Sequence, residues 1–173
     1  MSKDGYILLG SHKTPSPGGG AHTFTNIPAG YDSLTIRGNL QGNRNTALTY
    51  IQARFNGASA AVYDSWLNYV DENGSVTATW SLADNVAFLA ATGGAGIGVW
   101  PCQVETTFFG VSDPDVYTKW VTVFGYSGGL GGYGAAGCMG GVWKDKSVVS
   151  SLSITLNFGL RTDNITNLYG RRS

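Results

Sequence analysis

The groups in this chain that could do chemistry are few and scattered. Histidine occurs only at His12 and His22, and cysteine only at Cys102 and Cys138. A zinc site wants several His or Cys ligands at close spacing, and neither an HxH nor a CxxC is present. A Ser-His-Asp nucleophile would need a histidine buried against a carboxylate. His12 is expected in a flexible arm and His22 as a polar residue at a strand entry. Paired carboxylates for glycoside hydrolysis converge only in space; the candidates are Asp64, Asp71, Glu72, Glu105, Asp113 and Asp115. Asp71 with Glu72, and Asp113-Pro114-Asp115, sit in turn signals, where acidic side chains favour hydrogen bonds to nearby backbone. Asp113 and Asp115 could also face a calcium ion, but the spacing of an EF-hand loop is absent.

Three further patterns carry little. Gly129, Gly131 and Gly134 satisfy GxGxxG, but a dinucleotide site needs those glycines between a strand and a helix. Gly137, Gly140 and Gly141 follow, which excludes a helix there. Trp66, Tyr69, Trp80, Trp100, Trp120 and Trp143 could form a glycan platform, and core packing or subunit contact would absorb them equally well. Asn73-Gly74-Ser75 and Asn164-Ile165-Thr166 fit the glycosylation pattern and are read as coincidental, because residues 1–9 lack the features of a secretory leader. No catalytic residue, cofactor, cofactor-binding residue or metal ligand is assigned, and a non-enzymatic protein is expected.

The elements that would carry these residues are strands. Turn residues recur about every eight to twelve positions, with short β-rich runs between them. No stretch holds apolar residues at helical spacing. Residues 33–40 and 49–55 alternate, with Leu34, Ile36, Ile51, Ala53 and Phe55 on one face. Residues 62–70, 76–82, 86–90, 106–111 and 117–126 follow as strands. Residues 125–141 read as a glycine-dense loop with its tip at Gly128 to Gly132, and structure resumes at Val142-Trp143. Residues 151–158 point Leu152, Ile154, Leu156 and Phe158 inward, and residues 165–169 close the domain. The reading is roughly eight to eleven strands in an all-β, antiparallel, two-sheet sandwich of jelly-roll type. Residues 1–20 are expected to form an N-terminal arm with a Pro/Gly connector, and residues 21–173 one sandwich domain.

Composition bounds the partners. Of 173 residues 13% are charged, with 11 Lys+Arg balancing 11 Asp+Glu. Such a chain offers little counterion release to nucleic acid. Residues 86–104 carry no charge, but their glycines break the uniform apolarity of a membrane span, and two buried strands joined by a glycine turn explain them. Neither nucleic acid nor membrane is expected as a partner. Cys102 and Cys138 could form one bridge, and free, buried thiols are the expected state.

One ordered set of short motifs goes further. Phe24-Thr25-Asn26-Ile27-Pro28 is followed by Tyr31, Leu34 and Ile36, then by Arg54-Phe55-Asn56-Gly57 with Tyr63. Asp113-Pro114-Asp115 with Tyr117 and Lys119 comes next, and Leu152 to Leu156 with Leu168-Tyr169-Gly170 ends the series. This order resembles a group of tailed-bacteriophage virion proteins, variously head-decoration or tail-fibre-associated, from residue 24 to 170. The glycine-dense segment 125–141 departs from their pattern. The resemblance implies a structural particle component without catalytic residues. A compact knob with a short arm suits a decoration, or cement, protein on the capsid exterior, assembled in the host cytoplasm and stabilising the head by binding the major capsid protein. The arm would add a strand to a neighbour's sheet edge, which makes Tyr6, Ile7, Leu8, Leu9, Pro15 and Pro17 the candidate subunit and capsid interface. A homotrimer is expected, because identical head-to-tail contacts close at threefold symmetry. The alternative is a tail or fibre component that binds a host-surface glycan.

Overall fold

The computed structural model describes residues 5–15, 19–43, 49–71, 73–92, 101–127, 134–157 and 159–172. They hold twelve strands: β1 (Ile7–Lys13), β2 (His22–Phe24), β3 (Ser33–Leu40), β4 (Thr49–Phe55), β5 (Tyr63–Asp71), β6 (Val76–Asp84), β7 (Ala87–Thr92), β8 (Cys102–Phe109), β9 (Thr118–Tyr126), β10 (Ala135–Trp143), β11 (Leu152–Leu156) and β12 (Ile165–Arg171). Eight form one sheet in the order β1-β12-β3-β8-β9-β10-β5-β6, and four form a second in the order β2-β11-β4-β7. Every ladder is antiparallel. The all-β two-sheet sandwich expected from strand alternation is the fold. The chain crosses repeatedly between sheets, so β7 and β8, the two strands read from the uncharged stretch, lie in opposite layers.

Alternation explains the layers. In β4, Thr49, Ile51, Ala53 and Phe55 are all buried while the residues between them are half-exposed. β11 repeats this with Leu152, Ile154 and Leu156, and β9 with Thr118, Trp120, Thr122 and Phe124. The inner rows meet in an aromatic cluster around Phe55. Its ring lies 5.0 Å from Trp143, 5.2 Å from Phe108, 6.0 Å from Tyr63 and 6.2 Å from Trp120. The Phe55 N–H also donates to the Tyr63 hydroxyl at 3.0 Å, so the cluster is locked by a polar contact as well as by area.

The segment read as a glycine loop is largely strand. β10 lies between β9 and β5 and pairs with both over all nine of its residues. Its glycines serve packing. A Cβ on Gly140 would meet the Trp66 ring at 2.5 Å, and one on Gly141 would run into the Trp120 ring and the Asp64 carbonyl. Glycine ordinarily weakens a strand, yet here it lets indole rings lie flat on the backbone. The expected tip, Gly128 to Gly132, falls outside the described residues.

The N-terminal arm also needs correction. β1 pairs with β12 from Ile7↔Gly170 to Lys13↔Ile165, with one register shift between Leu8 and Gly10. The Thr14 N–H donates to the Asn164 carbonyl at 2.9 Å, and the Asp163 N–H donates to the Thr14 carbonyl at 3.1 Å. The physical reason is proximity. β12 offers an open edge within the same chain, so main-chain pairing is satisfied there at no cost in association entropy.

Three outcomes follow. Gly141→Ala should lower stability by about 1–3 kcal/mol in urea denaturation, the usual cost of overpacking. Gly125→Ala, whose added methyl meets nothing nearer than 3.8 Å, should change stability by under about 0.5 kcal/mol. Deleting residues 1–20 removes β1 and should lower the thermal midpoint, where a dispensable arm would leave it unchanged.

Candidate functional site

The structure puts most of the chemical candidates to local use. His22 is buried between the sheets, with Nε2 2.8 Å from the Thr14 hydroxyl and Nδ1 2.8 Å from the Thr166 hydroxyl. His12 stacks on it at 5.7 Å, so His12 lies in β1 and not in a free arm, while His22 opens β2 as the expected strand-entry residue and is buried there. Burial, with His12 second, pushes the His22 pKa down to about 4. A neutral imidazole needs one donor and one acceptor, and threonine hydroxyls supply either.

The carboxylates are occupied singly. Asp64 accepts from the Ala83 N–H at 2.7 Å and from Lys144 Nζ at 2.9 Å, which together hold its carboxyl below the usual range. Asp71 accepts from the N–H groups of Asn73 and Ser75, closing the β5–β6 hairpin. Glu105 pairs with Arg37 at 3.0 Å, and Asp113 accepts from the Asp115 N–H at 2.9 Å. Glu72 lies outside the described residues. Among the described residues no group of three or more His, Cys, Asp and Glu is placed to hold a metal ion. Both cysteines are free, and burial pushes the Cys102 thiol up to about 12, far from a nucleophilic thiolate. Gly134 leads into strand β10 and not into a helix, so the GxGxxG pattern lacks its structural context. Asn164 of the second glycosylation pattern is buried, exchanging hydrogen bonds of 3.0 and 2.7 Å with the Gln41 backbone.

What remains is a surface: the outer face of the large sheet. Over β12, β3, β8 and β9 it holds a shallow groove of about 840 Å³. Arg37–Glu105 and an Asn39–Gln103 hydrogen bond of 2.9 Å line its polar side, and Phe109, Val121, Val123 and Ile165 its apolar side. The Arg37 guanidinium is held 5.4 Å from the Tyr6 ring and 5.6 Å from the Tyr169 ring. Beyond β10 the face is wholly uncharged as far as Asp64. Trp66 covers Gly140, and Trp80, its cross-strand partner, is 74% exposed. Val123 is 65% exposed and Val76 and Leu82 at least 70%. Soluble proteins do not usually leave such patches open without using them.

The expected interface residues lie at the other end of this sheet. Tyr6, Ile7 and Leu8 are exposed, Leu9 packs partly on the core, Pro15 is exposed, and Pro17 falls outside the described residues. The supposed aromatic platform is dispersed: Trp120 and Trp143 are core, Trp66 and Tyr69 are half-buried, and Trp100 is outside the described residues. Val121, Val123, Phe109, Val76 and Leu82 were not singled out from sequence. The available signal was β9, where apolar residues occupy both faces of one strand.

No known protein family matches the chain, and no curated protein matches it. Among solved structures, a Scytalido-glutamic peptidase aligns with 9% identity over 91% of this chain and 66% of its own, at a TM-score of 0.31. A protein of unknown function from Bacteroides ovatus aligns with 11% identity over 74% and 46%, at 0.24. A fructofuranosidase from Schwanniomyces occidentalis aligns with 6% identity over 99% and 35%, at 0.25. The chain thus spans less than two thirds of the length of each, and likenesses this distant assign no function.

His22 makes stability depend on pH in a defined window. Its folded pKa is depressed, so the unfolded chain binds the extra proton first and stability rises with pH. The contribution should be complete above pH 6.5 and be lost as pH falls toward about 4. The loss should reach up to about 3 kcal/mol, read by urea denaturation across that range. His22→Gln, which keeps a donor and an acceptor, should flatten the dependence.

Proposed function

We propose that this chain is a non-enzymatic structural subunit of a virus particle, a decoration protein on the outer surface of an icosahedral head. The observation that carries the structural part of this reading is the half of the large sheet's outer face from Val121 and Val123 to β6, uncharged between its ends and rich in exposed apolar side chains. Such a face suits lasting contact with other subunits. The chemical groups support it from the other side, since His22, Asp64, Asp71, Glu105 and Asn164 are each engaged in holding the fold.

The motif resemblance supports the virion part, and its residues have a clear physical role. Phe24, Ile27, Tyr31, Leu34, Ile36, Phe55, Tyr63, Leu152, Ile154, Leu156 and Leu168 are all core. Asn56 Oδ1 accepts from the N–H groups of Ser150 and Ser151 at 2.8 and 3.0 Å, tying two crossings together. A Cβ at Gly170 would meet the Tyr31 ring at 2.6 Å. The motifs therefore mark framework positions, and the partner-binding surface lies outside them. The expected arm is replaced in this reading by the sheet's outer face and its edges, with Tyr6, Ile7 and Leu8 flanking one end.

A second reading, a tail or fibre component that binds a glycan, draws on exposed Trp80 beside Trp66. Immunogold labelling of purified particles from the source culture, with an antibody to this chain, separates the two. Labelled heads are the expected result. Label confined to fibre tips would favour glycan binding, and particles without the protein would overturn both.

A further inference from the structure

Among the described residues, the far edge of β6 is the least protected strand edge. β6 is the last strand of the large sheet, nine residues long, and among the described residues no strand pairs with its outer side. Proteins normally blunt such an edge with charge, proline, a bulge or brevity. The uncharged edge strand β7 has a register shift, opposite Ile51 and Gln52. β1 has a register shift and ends at Lys13, paired with Asp163 at 2.8 Å, and β2 has only three residues. β6 also has a register shift, at Leu82 and Ala83, and ends at Asp84, but from Val76 to Ser81 it is regular and free of charge and proline.

The strand is also complementary to itself. Pairing with β5 places Val76, Ala78 and Trp80 on the outer face, opposite Val70, Asn68 and Trp66. Thr77, Thr79 and Ser81 form the other row. An antiparallel copy centred on Thr79 would bring Ala78 opposite Trp80 of its mate, Thr77 opposite Ser81, and Val76 opposite Leu82. Each apolar residue then meets an apolar one, and a small side chain faces a large one twice. Cross-strand pairs of this kind stabilise a sheet, and like charges facing each other across the axis would oppose it. None is present. A slip of one residue would set the apolar row against the polar row, and a slip of two would set Ala78 or Trp80 against its own copy and lose the small-on-large match.

We infer that the β6 edge is a self-association site, where a second copy of this chain adds antiparallel across a twofold axis and joins two large sheets into one. A threefold ring would require β6 to meet a different edge. The other end of the same sheet, β1, offers a bulged strand with a paired charge, which fits poorly. The inference does not rest on the virion reading.

The test uses the full chain in analytical ultracentrifugation over a wide concentration range. A dimer is expected. Thr79→Lys puts a charge against itself at the axis and should weaken the dimer at least about tenfold, with the thermal midpoint of the dilute monomer unchanged. Thr79→Cys should give a covalent dimer under mild oxidation, since facing residues of an antiparallel pair lie within disulfide reach; Ser11→Cys on β1 and the parent chain should not. A chain that stays monomeric, a trimer, or a dimer untouched by Thr79→Lys would overturn the inference.

Discussion

Two indole rings lying on a backbone with no side chains hold this sandwich together. Gly140 and Gly141 are neighbours in β10, so one faces outward and the other inward. Trp66 lies on the first from outside and Trp120 on the second from inside. Trp120 reaches from there into the cluster around Phe55, where the two sheets meet, and its Nε1–H donates to the Phe88 carbonyl of β7 at 3.3 Å. Trp66 carries the same support to β6 through its cross-strand partner Trp80. The inner and outer faces of the molecule thus share one constraint, a central strand thin enough to be covered on both sides.

That constraint explains what could be seen in the sequence and what could not. β4, β9 and β11 were legible because one face of each is core and the other is not, so burial writes a period of two into the residue types. β10 was not, because its packing partner is ring surface from neighbouring strands. Gly140 and Gly141 are what such a contact selects, Gly137 lies against the Asn68 carbonyl and the Tyr69 Cα, and locally all three look like a turn. β1 failed for a different reason. Residues 7–9 read as a strand, but only the position of β12 decides that its pairing lies within the chain, and that is a long-range fact. The outer face was hidden because an apolar row that faces solvent has the same alternation as one that faces a core. VTATWSL in β6 is such a row, and only its pairing with β5, which sets Val76, Ala78 and Trp80 on the side away from the second sheet, shows that it faces solvent.

The buried polar groups follow a related logic. His22 links β2 to Thr14 and to Thr166 of β12, across the two layers. Asn164 mimics a strand partner for Gln41, and Asn56 gathers the backbone that enters β11. Each sits where the chain passes from one sheet to the other and the ladders end. At Asn164 the Gln41 backbone groups would otherwise be buried without these partners, at about 1–3 kcal/mol each, while His22 pairs with two threonine hydroxyls. Side chains that read as chemistry in isolation therefore finish the hydrogen bonding of the crossings. Residue type alone did not distinguish these uses, because an amide or imidazole is suited to both.

Charge placement completes the argument. The ion pairs of the large sheet's outer surface are Lys13–Asp163, Arg37–Glu105 and Lys144–Asp64. The first two lie toward the β1 end, and the third ties down the bulged end of β6 at Ala83. The span between, from Val121 and Val123 across Ala136 and Cys138 to Val76 and Trp80, carries none. Charged groups resist association because they must shed water, and weakly charged strands lack the repulsion that keeps edges apart. A chain with 13% charged residues has concentrated them where they close the fold. What it leaves uncharged is one continuous face that ends in an open strand.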